Sequence, residues 1–251
     1  MTASSLDGVL PRPPEPRELT EEESVLARKL EARLSELRTG TVVPVIERNR
    51  RTGTRFDMRS AMRSEHDPDE RPFRKTVWTP TDPSTLNVVL ATDYSWSTSF
   101  VLDRAVSTVA VLVSALERTG HRSAALFFAA EEPRLVKGWS DPTLPNPDFT
   151  RAWRYTRFAP ALALVSEVFR TAPDGTRLLI VLSDGELTDE PDGLLTRRWT
   201  EAFRESGGHS LGLSFRDYRP LGLDVEKRLG SVDELVPVVG SYLASVEEEV
   251  R

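Results

Sequence analysis

The chain has 251 residues, of which 39% are hydrophobic and 29% are charged, a composition typical of one soluble α/β domain with an extension. Its formal net charge of -6 gives no sign of the basic face that nucleic-acid binding usually requires, so we expect no nucleic-acid partner. The absence of cysteine excludes disulfide bonds and thiolate metal ligands, and it favours an intracellular compartment.

Residues 1–18 contain four prolines and little apolar surface, so we predict that they form a disordered tail. The N-terminus lacks the basic and apolar segments of a secretory signal. We expect no apolar run to reach the roughly 18 residues that a membrane span needs. We therefore expect a cytoplasmic protein with no membrane partner.

Residues 19–84 are predicted to form an N-terminal extension of helix and loops. Apolar residues recur at helical spacing over 19–38, where Thr20 is a candidate N-cap ahead of three glutamates. The polar, arginine-rich stretch that follows predicts a short helix over 57–63 between loops.

Residues 85–251 alternate short apolar runs with amphipathic segments, which is the pattern of strands and helices around a mostly parallel sheet. The predicted strands cover 87–92, 123–129, 177–183 and 209–215, and the predicted helices cover 99–118, 157–171, 194–206 and 232–248. This order predicts an α/β fold with a doubly wound, mostly parallel sheet flanked by helices.

Oxygen-bearing side chains follow two of the predicted strands and precede one predicted helix. Asp93, Ser95 and Ser97 come directly after the first strand. Asp184 follows the third strand in a Ser-Asp-Gly turn, and Thr156 precedes the second helix. In an open α/β sheet the carboxyl ends of the strands border the ligand crevice. Oxygen ligands suit Mg²⁺, with Mn²⁺ as a second choice, although Asp and Ser also cap helices and form turns without any metal.

The order Asp-x-Ser-x-Ser, then Thr, then Asp resembles the metal-ion-dependent adhesion site of the von Willebrand factor type A superfamily. This resemblance extends from about residue 87 to the C-terminus and implies the fold of that superfamily. It also implies that Ser95, Ser97 and Thr156 bind the ion directly, while Asp93 and Asp184 act mostly through water. Two carboxylates leave a divalent ion short of negative ligands, so a partner's carboxylate is expected to complete the site.

A narrower resemblance is to intracellular members similar to the nitric oxide reductase activation protein NorD and the rubisco-activation protein CbbO. The passages that carry it are RNRRTGTRFDM, DPDERPFRK, DYSWSTS, and RYTRFAPALALVSEVFR together with RLLIVLSDGELTDE. The resemblance implies that the chain is an adaptor between a MoxR-type AAA+ ATPase and a client protein. The chain has no Gly-x-x-x-x-Gly-Lys-Ser/Thr loop, so ATP hydrolysis is expected in a separate subunit. It lacks the long N-terminal helical region of the full-length adaptors, and Trp96 stands where a small residue is common.

Two other functions are alternatives to this non-enzymatic binding module. A Mg²⁺-dependent hydrolase could use Asp93 as a nucleophile, but Ser95 stands where haloacid-dehalogenase-like enzymes carry a second Asp. A secreted adhesion domain is disfavoured by the absence of cysteine and of a signal peptide. The histidines His66, His121 and His209 have no metal-ligand spacing, so we expect no zinc site.

Overall fold

The computed structural model describes residues 16–38, 42–50, 55–56, 73–80, 85–130, 132–141, 144–145, 155–189, 192–217 and 219–250. The chain divides into two compact units. One unit comprises Met1–Ser35 and Thr85–Arg251, and the other comprises Glu36–Ser84. The predicted helix over 57–63 and most of the predicted tail lie outside the described residues.

The smaller unit contains an antiparallel sheet of three strands, β1 (Val42–Arg50), β2 (Arg55–Phe56) and β3 (Phe73–Pro80), in the order β1-β3-β2. The prediction of only helix and loops over 19–84 was therefore wrong for this part of the chain. The β1 sequence VVPVIERNR carries β-branched residues that favour a strand. Its proline, Pro44, pairs with Trp78 of β3 and obscures that signal, because proline is rare inside strands.

The larger unit is built on a six-stranded sheet with the order β6-β5-β4-β7-β8-β9. Its strands are β4 (Leu86–Asp93), β5 (Arg122–Phe128), β6 (Arg134–Lys137), β7 (Thr176–Leu182), β8 (Gly208–Ser214) and β9 (Val225–Arg228). All neighbouring pairs are parallel except β5 and β6, which are antiparallel. The carboxyl ends of β4, β7 and β8 therefore lie at one edge of the sheet.

Helices cover both faces of this sheet. They are α1 (Glu21–Arg38), α2 (Leu102–Arg118), α3 (Ala159–Arg170), α4 (Leu194–Glu205) and α5 (Leu235–Val250), with 3-10 turns at Ser99–Val101 and Val232–Glu234. Val89 and Val181 pack with residues of α3 and α4 in one apolar cluster. Val88 and Ile180, on the opposite face, are equally buried. Burial on both faces explains why the sequences of these strands are continuous apolar runs. The predicted doubly wound α/β fold is confirmed.

The four predicted core strands and four core helices are present, with ends that differ from the predictions by a few residues. The edge strands β6 and β9 were not predicted. Both have only four residues and remain partly exposed, so they lack the buried apolar run by which the central strands were recognised. This fits the common pattern of short, charged edge strands.

The N-terminal helix α1 begins with a capping box. Thr20 Oγ1 accepts the Glu23 backbone N–H at 3.2 Å, and the Glu23 carboxylate accepts the Thr20 N–H at 2.9 Å. Arg17 forms an ion pair with Glu23 at 2.5 Å, and its backbone N–H donates to the Leu144 carbonyl at 2.9 Å. The predicted tail therefore already makes ordered contacts at Arg17.

The segment Ser99–Arg118 has 20 residues, and an 18-residue window within it has a mean hydropathy of 1.6, so it is long and apolar enough to cross a membrane by composition alone. This corrects the expectation that no run reaches that length. Of that window, 56% is buried inside the protein, and the buried residues lie in α2. Buried helices in the cores of folded domains can be equally long and apolar. The position of this segment against one face of the sheet explains its apolar sequence.

Candidate metal centre

Asp93 is the last residue of β4, and its carboxylate is almost completely buried, with 1% of the residue exposed. Its Oδ1 accepts the backbone N–H of Ser95 at 2.8 Å, and its Oδ2 accepts the hydroxyl of Ser183 at 2.8 Å. Because Ser183 follows β7, this second bond joins the ends of two adjacent parallel strands. The carboxylate is thus fixed from two sides.

The loop after β4 brings two serine hydroxyls together. Ser95 Oγ lies 3.0 Å from Ser97 Oγ, with Ser95 buried and Ser97 half-buried. Thr98 holds the loop in place, because its hydroxyl donates to the carbonyls of Asp93 at 3.1 Å and Ser95 at 3.0 Å. The predicted spacing therefore does place Asp93, Ser95 and Ser97 in one hydrogen-bonded turn.

The loop after β7 supplies the second carboxylate. Asp184 is 1% exposed, and its Oδ1 accepts the backbone N–H of Glu186 at 3.1 Å. Gly185 adopts a φ of +74°, and a Cβ at this position would lie 2.0 Å from the Arg219 carbonyl oxygen. Only glycine allows this close approach, so the Ser-Asp-Gly turn is shaped by its third residue.

Thr156 lies between the loops that follow β5 and β7. The N–H of Arg157 donates to the Ala129 carbonyl at 3.0 Å, and the Thr156 carbonyl accepts the backbone N–H and the hydroxyl of Thr188, both at 2.8 Å. Thr156 itself is 2% exposed. These backbone contacts bring the third predicted segment to the same edge of the sheet as Asp93 and Asp184.

Asp189 has a role that the sequence does not predict. It is exposed, and its two carboxylate oxygens accept the backbone N–H groups of Phe158 at 3.0 Å and Ala159 at 3.1 Å. It therefore caps the start of α3, directly after the Thr156 segment. A carboxylate at a helix N-terminus is favoured by the free N–H groups and by the helix dipole.

Arg216 is a site neighbour that was also not predicted. It follows β8, and its Nη1 donates to the Ser97 carbonyl at 2.5 Å and lies 3.4 Å from Asp184 Oδ2. Its side chain is 42% exposed. The same rule of strand ends that found Asp184 could have found Arg216, since this residue comes two positions after the end of β8.

The two buried aspartates at this edge of the sheet are not fully matched by positive charges. Of the described side chains, Arg216 forms an ion pair with Asp184, and none forms one with Asp93. Burial raises the pKa of Asp93 from 3.8 to about 7, hydrogen bonds from Ser95 and Ser183 offset part of the rise, and the charge of Asp184 adds to it. A divalent cation between these loops would relieve that shortage of positive charge.

The donor set fits Mg²⁺ better than a softer ion. Among the described residues, no three His, Cys, Asp or Glu side chains are grouped as metal ligands, so a cation here depends on hydroxyls and water beside the two aspartates. Mg²⁺ accepts neutral oxygen ligands and usually retains several waters. Asp93, Ser95, Ser97, Thr156 and Asp184 are thus the side chains available to hold it.

Comparisons with known proteins bear on the fold. No protein-family model matches the chain, and no curated protein matches its sequence. Among solved structures the chain is similar to proximal thread matrix protein 1 from the mussel byssus, with 14% identity and a TM-score of 0.50 over 65% of this chain and 47% of that chain. It is also similar to the PilB minor pilin from Streptococcus sanguinis, with 9% identity and a TM-score of 0.50 over 70% of this chain and 64% of that chain.

A von Willebrand factor type A structure from Catenulispora acidiphila is similar as well, with 18% identity and a TM-score of 0.47 over 68% of this chain and 44% of that chain. The chain spans less than half the length of this protein and of the mussel protein. At such identities the similarity to the mussel protein and the pilin shows a shared α/β fold and nothing of function.

Proposed function

We propose that the chain is a non-enzymatic protein-binding module of the von Willebrand factor type A kind. Its proposed site is Asp93, Ser95, Ser97, Thr156 and Asp184. The observation that carries the proposal is a pair of buried aspartates, Asp93 and Asp184, at the ends of adjacent strands. Among the described residues, only Arg216 forms an ion pair with either of them. A bound Mg²⁺ would supply an open coordination position that a partner's carboxylate can fill.

The surrounding contacts prepare these residues for that role. Ser183 and the Ser95 N–H orient the Asp93 carboxylate, and the short contact between Ser95 Oγ and Ser97 Oγ places two neutral donors side by side. Thr98 fixes the loop that carries both serines. Neutral hydroxyls leave much of the charge of the ion available, so an incoming Asp or Glu gains a strong and directional bond.

The same contacts argue against a nucleophilic role for Asp93. Both of its carboxylate oxygens accept hydrogen bonds, and the residue is 1% exposed. At this exposure a substrate has little access to the Asp93 carboxylate. The burial of Asp93 therefore supports a binding module over the alternative of a Mg²⁺-dependent hydrolase.

The proposed partner follows from the resemblance to NorD-type and CbbO-type proteins. Such proteins act with a MoxR-type AAA+ ATPase, and the chain itself has no phosphate-binding loop. We propose that the chain is a cytoplasmic adaptor that brings such an ATPase to a client protein. A stand-alone adhesion function is the competing proposal, and the identity of the bound protein separates the two.

The test is binding of the purified chain to a MoxR-type AAA+ ATPase from the same genome, measured by biolayer interferometry in Mg²⁺ and in EDTA. Losing one member of a buried charged pair typically costs about 2–5 kcal/mol, so EDTA should weaken binding by roughly 30-fold or more. Asp93→Ala and Thr156→Ala should have the same effect in Mg²⁺.

The matched control is Asp217→Ala, which removes a carboxylate that is 94% exposed and paired with Arg228. It should bind like the wild type. Equal affinity of the wild type in EDTA and in Mg²⁺ would show that docking does not use the metal centre.

A further inference from the structure

Three exposed aromatic side chains lie close in sequence to residues of the candidate metal centre. Trp96 is 60% exposed, Phe100 is 83% exposed and Tyr155 is 61% exposed. Among the described residues these are the aromatic side chains with large exposed surfaces, and each is close in sequence to a site residue. Trp96 lies between Ser95 and Ser97, Tyr155 precedes Thr156, and Phe100 lies in the 3-10 turn that continues the serine loop. We call Trp96, Phe100 and Tyr155 the aromatic rim.

Part of this rim is preorganised. The rings of Trp96 and Phe100 pack edge to face, with their centroids 6.3 Å apart and an interplanar angle of 67°. The Trp96 carbonyl accepts the Ser99 hydroxyl at 2.7 Å and the Ser99 N–H at 3.2 Å, which fixes the backbone between the two rings. A rigid aromatic pair loses little conformational entropy when a partner covers it.

Trp96 and Phe100 form one contiguous exposed apolar surface, and contiguous surfaces of this kind often mark sites of protein interaction. Trp and Tyr are enriched among the residues that contribute most to protein–protein affinity. Arg216 is 42% exposed beside Asp184, and the proposed cation would add positive charge at this edge of the sheet. An occupant that matches both features must combine a carboxylate with a large apolar side chain.

We infer that the aromatic rim selects a protein partner by an exposed segment in which an Asp or Glu adjoins a large aliphatic or aromatic residue. This inference rests on the proposed function, since the carboxylate is directed to the metal centre. The apolar neighbour packs against Trp96 and Phe100, and the acidic side chain enters between the serine loop and the Thr156 loop.

The net charge of the chain provides no long-range attraction for an acidic partner. Its net charge of -6 repels acidic partners at long range, and salt screens such forces beyond about 8 Å at physiological ionic strength. Affinity for an acidic segment must therefore come from short-range contacts. Burial of the apolar neighbour predicts that binding persists when the salt concentration is raised.

The inference is tested by selecting peptides from a phage-displayed library of random twelve-residue peptides on the immobilised chain in Mg²⁺. The affinities of the enriched peptides are then measured by fluorescence polarisation. The expected peptides carry Asp or Glu next to Leu, Ile, Phe or Trp. Trp96→Ser and Phe100→Ser should each weaken their binding about 10-fold. The matched control is Leu135→Ser, which removes an apolar side chain that is 46% exposed on edge strand β6, and it should bind like the wild type.

The outcomes separate this inference from the proposed function. Peptides that bind only in Mg²⁺ but are unaffected by Trp96→Ser and Phe100→Ser would overturn the aromatic rim and leave the metal centre standing. Peptides that need the rim but bind equally in EDTA would support the rim and overturn the metal-dependent function. Acidic peptides with only polar neighbours, or no enrichment at all, would overturn the inference.

Discussion

Replacement of Asp93 by Asn should stabilise the metal-free protein, and the gain should grow with pH. Asn has the shape of Asp and can keep both contacts, accepting the Ser95 N–H through its oxygen and donating to the Ser183 hydroxyl through its amide. It removes only the buried charge. The variant therefore isolates the electrostatic cost of an ionised Asp93.

The magnitude follows from the pKa of Asp93, which burial raises from 3.8 to about 7. Between these two values the folded state holds a proton that the unfolded state has lost, so the stability of the wild type falls as pH rises through this window. Each pKa unit corresponds to about 1.4 kcal/mol, which gives a cost of about 4 kcal/mol above pH 7. For a chain of this size that cost corresponds to a difference in Tm of about 10 °C.

The assay is thermal unfolding in EDTA, followed by circular dichroism at pH 5 and at pH 8. Asp93→Asn should unfold a few degrees above the wild type at pH 5, which lies about one pH unit above the unfolded-state pKa, and about 10 °C above it at pH 8. Saturating Mg²⁺ should raise the Tm of the wild type alone, because the cation takes over the neutralisation of the carboxylate. A variant that is less stable than the wild type at pH 8 in EDTA would refute the reasoning.

Three further predictions concern the loops around the site. Gly185→Ala should lower the free energy of unfolding by about 2 kcal/mol or more, because the new Cβ would collide with the Arg219 carbonyl, and it should weaken Mg²⁺ binding. Urea denaturation measures the first effect and a metal titration measures the second. Asp189→Ala should cost about 1 kcal/mol in urea denaturation, because it frees the N–H groups of Phe158 and Ala159, and an unchanged midpoint would contradict the capping role. The purified chain should hydrolyse neither ATP nor p-nitrophenyl phosphate, and Mg²⁺-dependent turnover that Asp93→Ala abolishes would restore the hydrolase interpretation.

The central sheet could be predicted from the sequence because its strands are buried on both faces. Such strands appear as apolar runs, and the turn and polar residues that bound them mark their ends. The edge strands β6 and β9 are short and partly exposed, so their sequences resemble loops. Strands β1 and β3 pair although they are far apart in the sequence. Local sequence patterns do not indicate such a pairing, so only helix and loops were predicted for this region.

The candidate site was predictable where residue spacing and strand ends coincide. Asp93, Ser95 and Ser97 meet in one turn because the Asp93 carboxylate accepts the Ser95 N–H and the hydroxyls of the two serines lie within hydrogen-bond distance. Contacts made by later loops were not predictable in this way. Arg216 reaches the site only because β8 lies beside β7, and Asp189 caps a helix that begins 30 residues before it.

The structure also changes how two signals in the sequence are interpreted. Trp96 appeared in the sequence as a bulky departure from the family pattern, and its exposure now gives it a place in the aromatic rim. The apolar segment Ser99–Arg118 is the helix that covers the sheet, beginning directly after the serine loop. Neither interpretation follows from composition, because both depend on which surfaces the fold buries.

Calorimetric titration of the purified chain with Mg²⁺, repeated with Mn²⁺, tests the central claim most directly. The wild type should bind one equivalent of metal with weak affinity, Asp93→Ala should bind none, and Asp217→Ala should bind like the wild type. No metal heat from the wild type up to millimolar concentrations, or the same titration for the wild type and Asp93→Ala, would contradict the assignment of this strand edge as a metal centre.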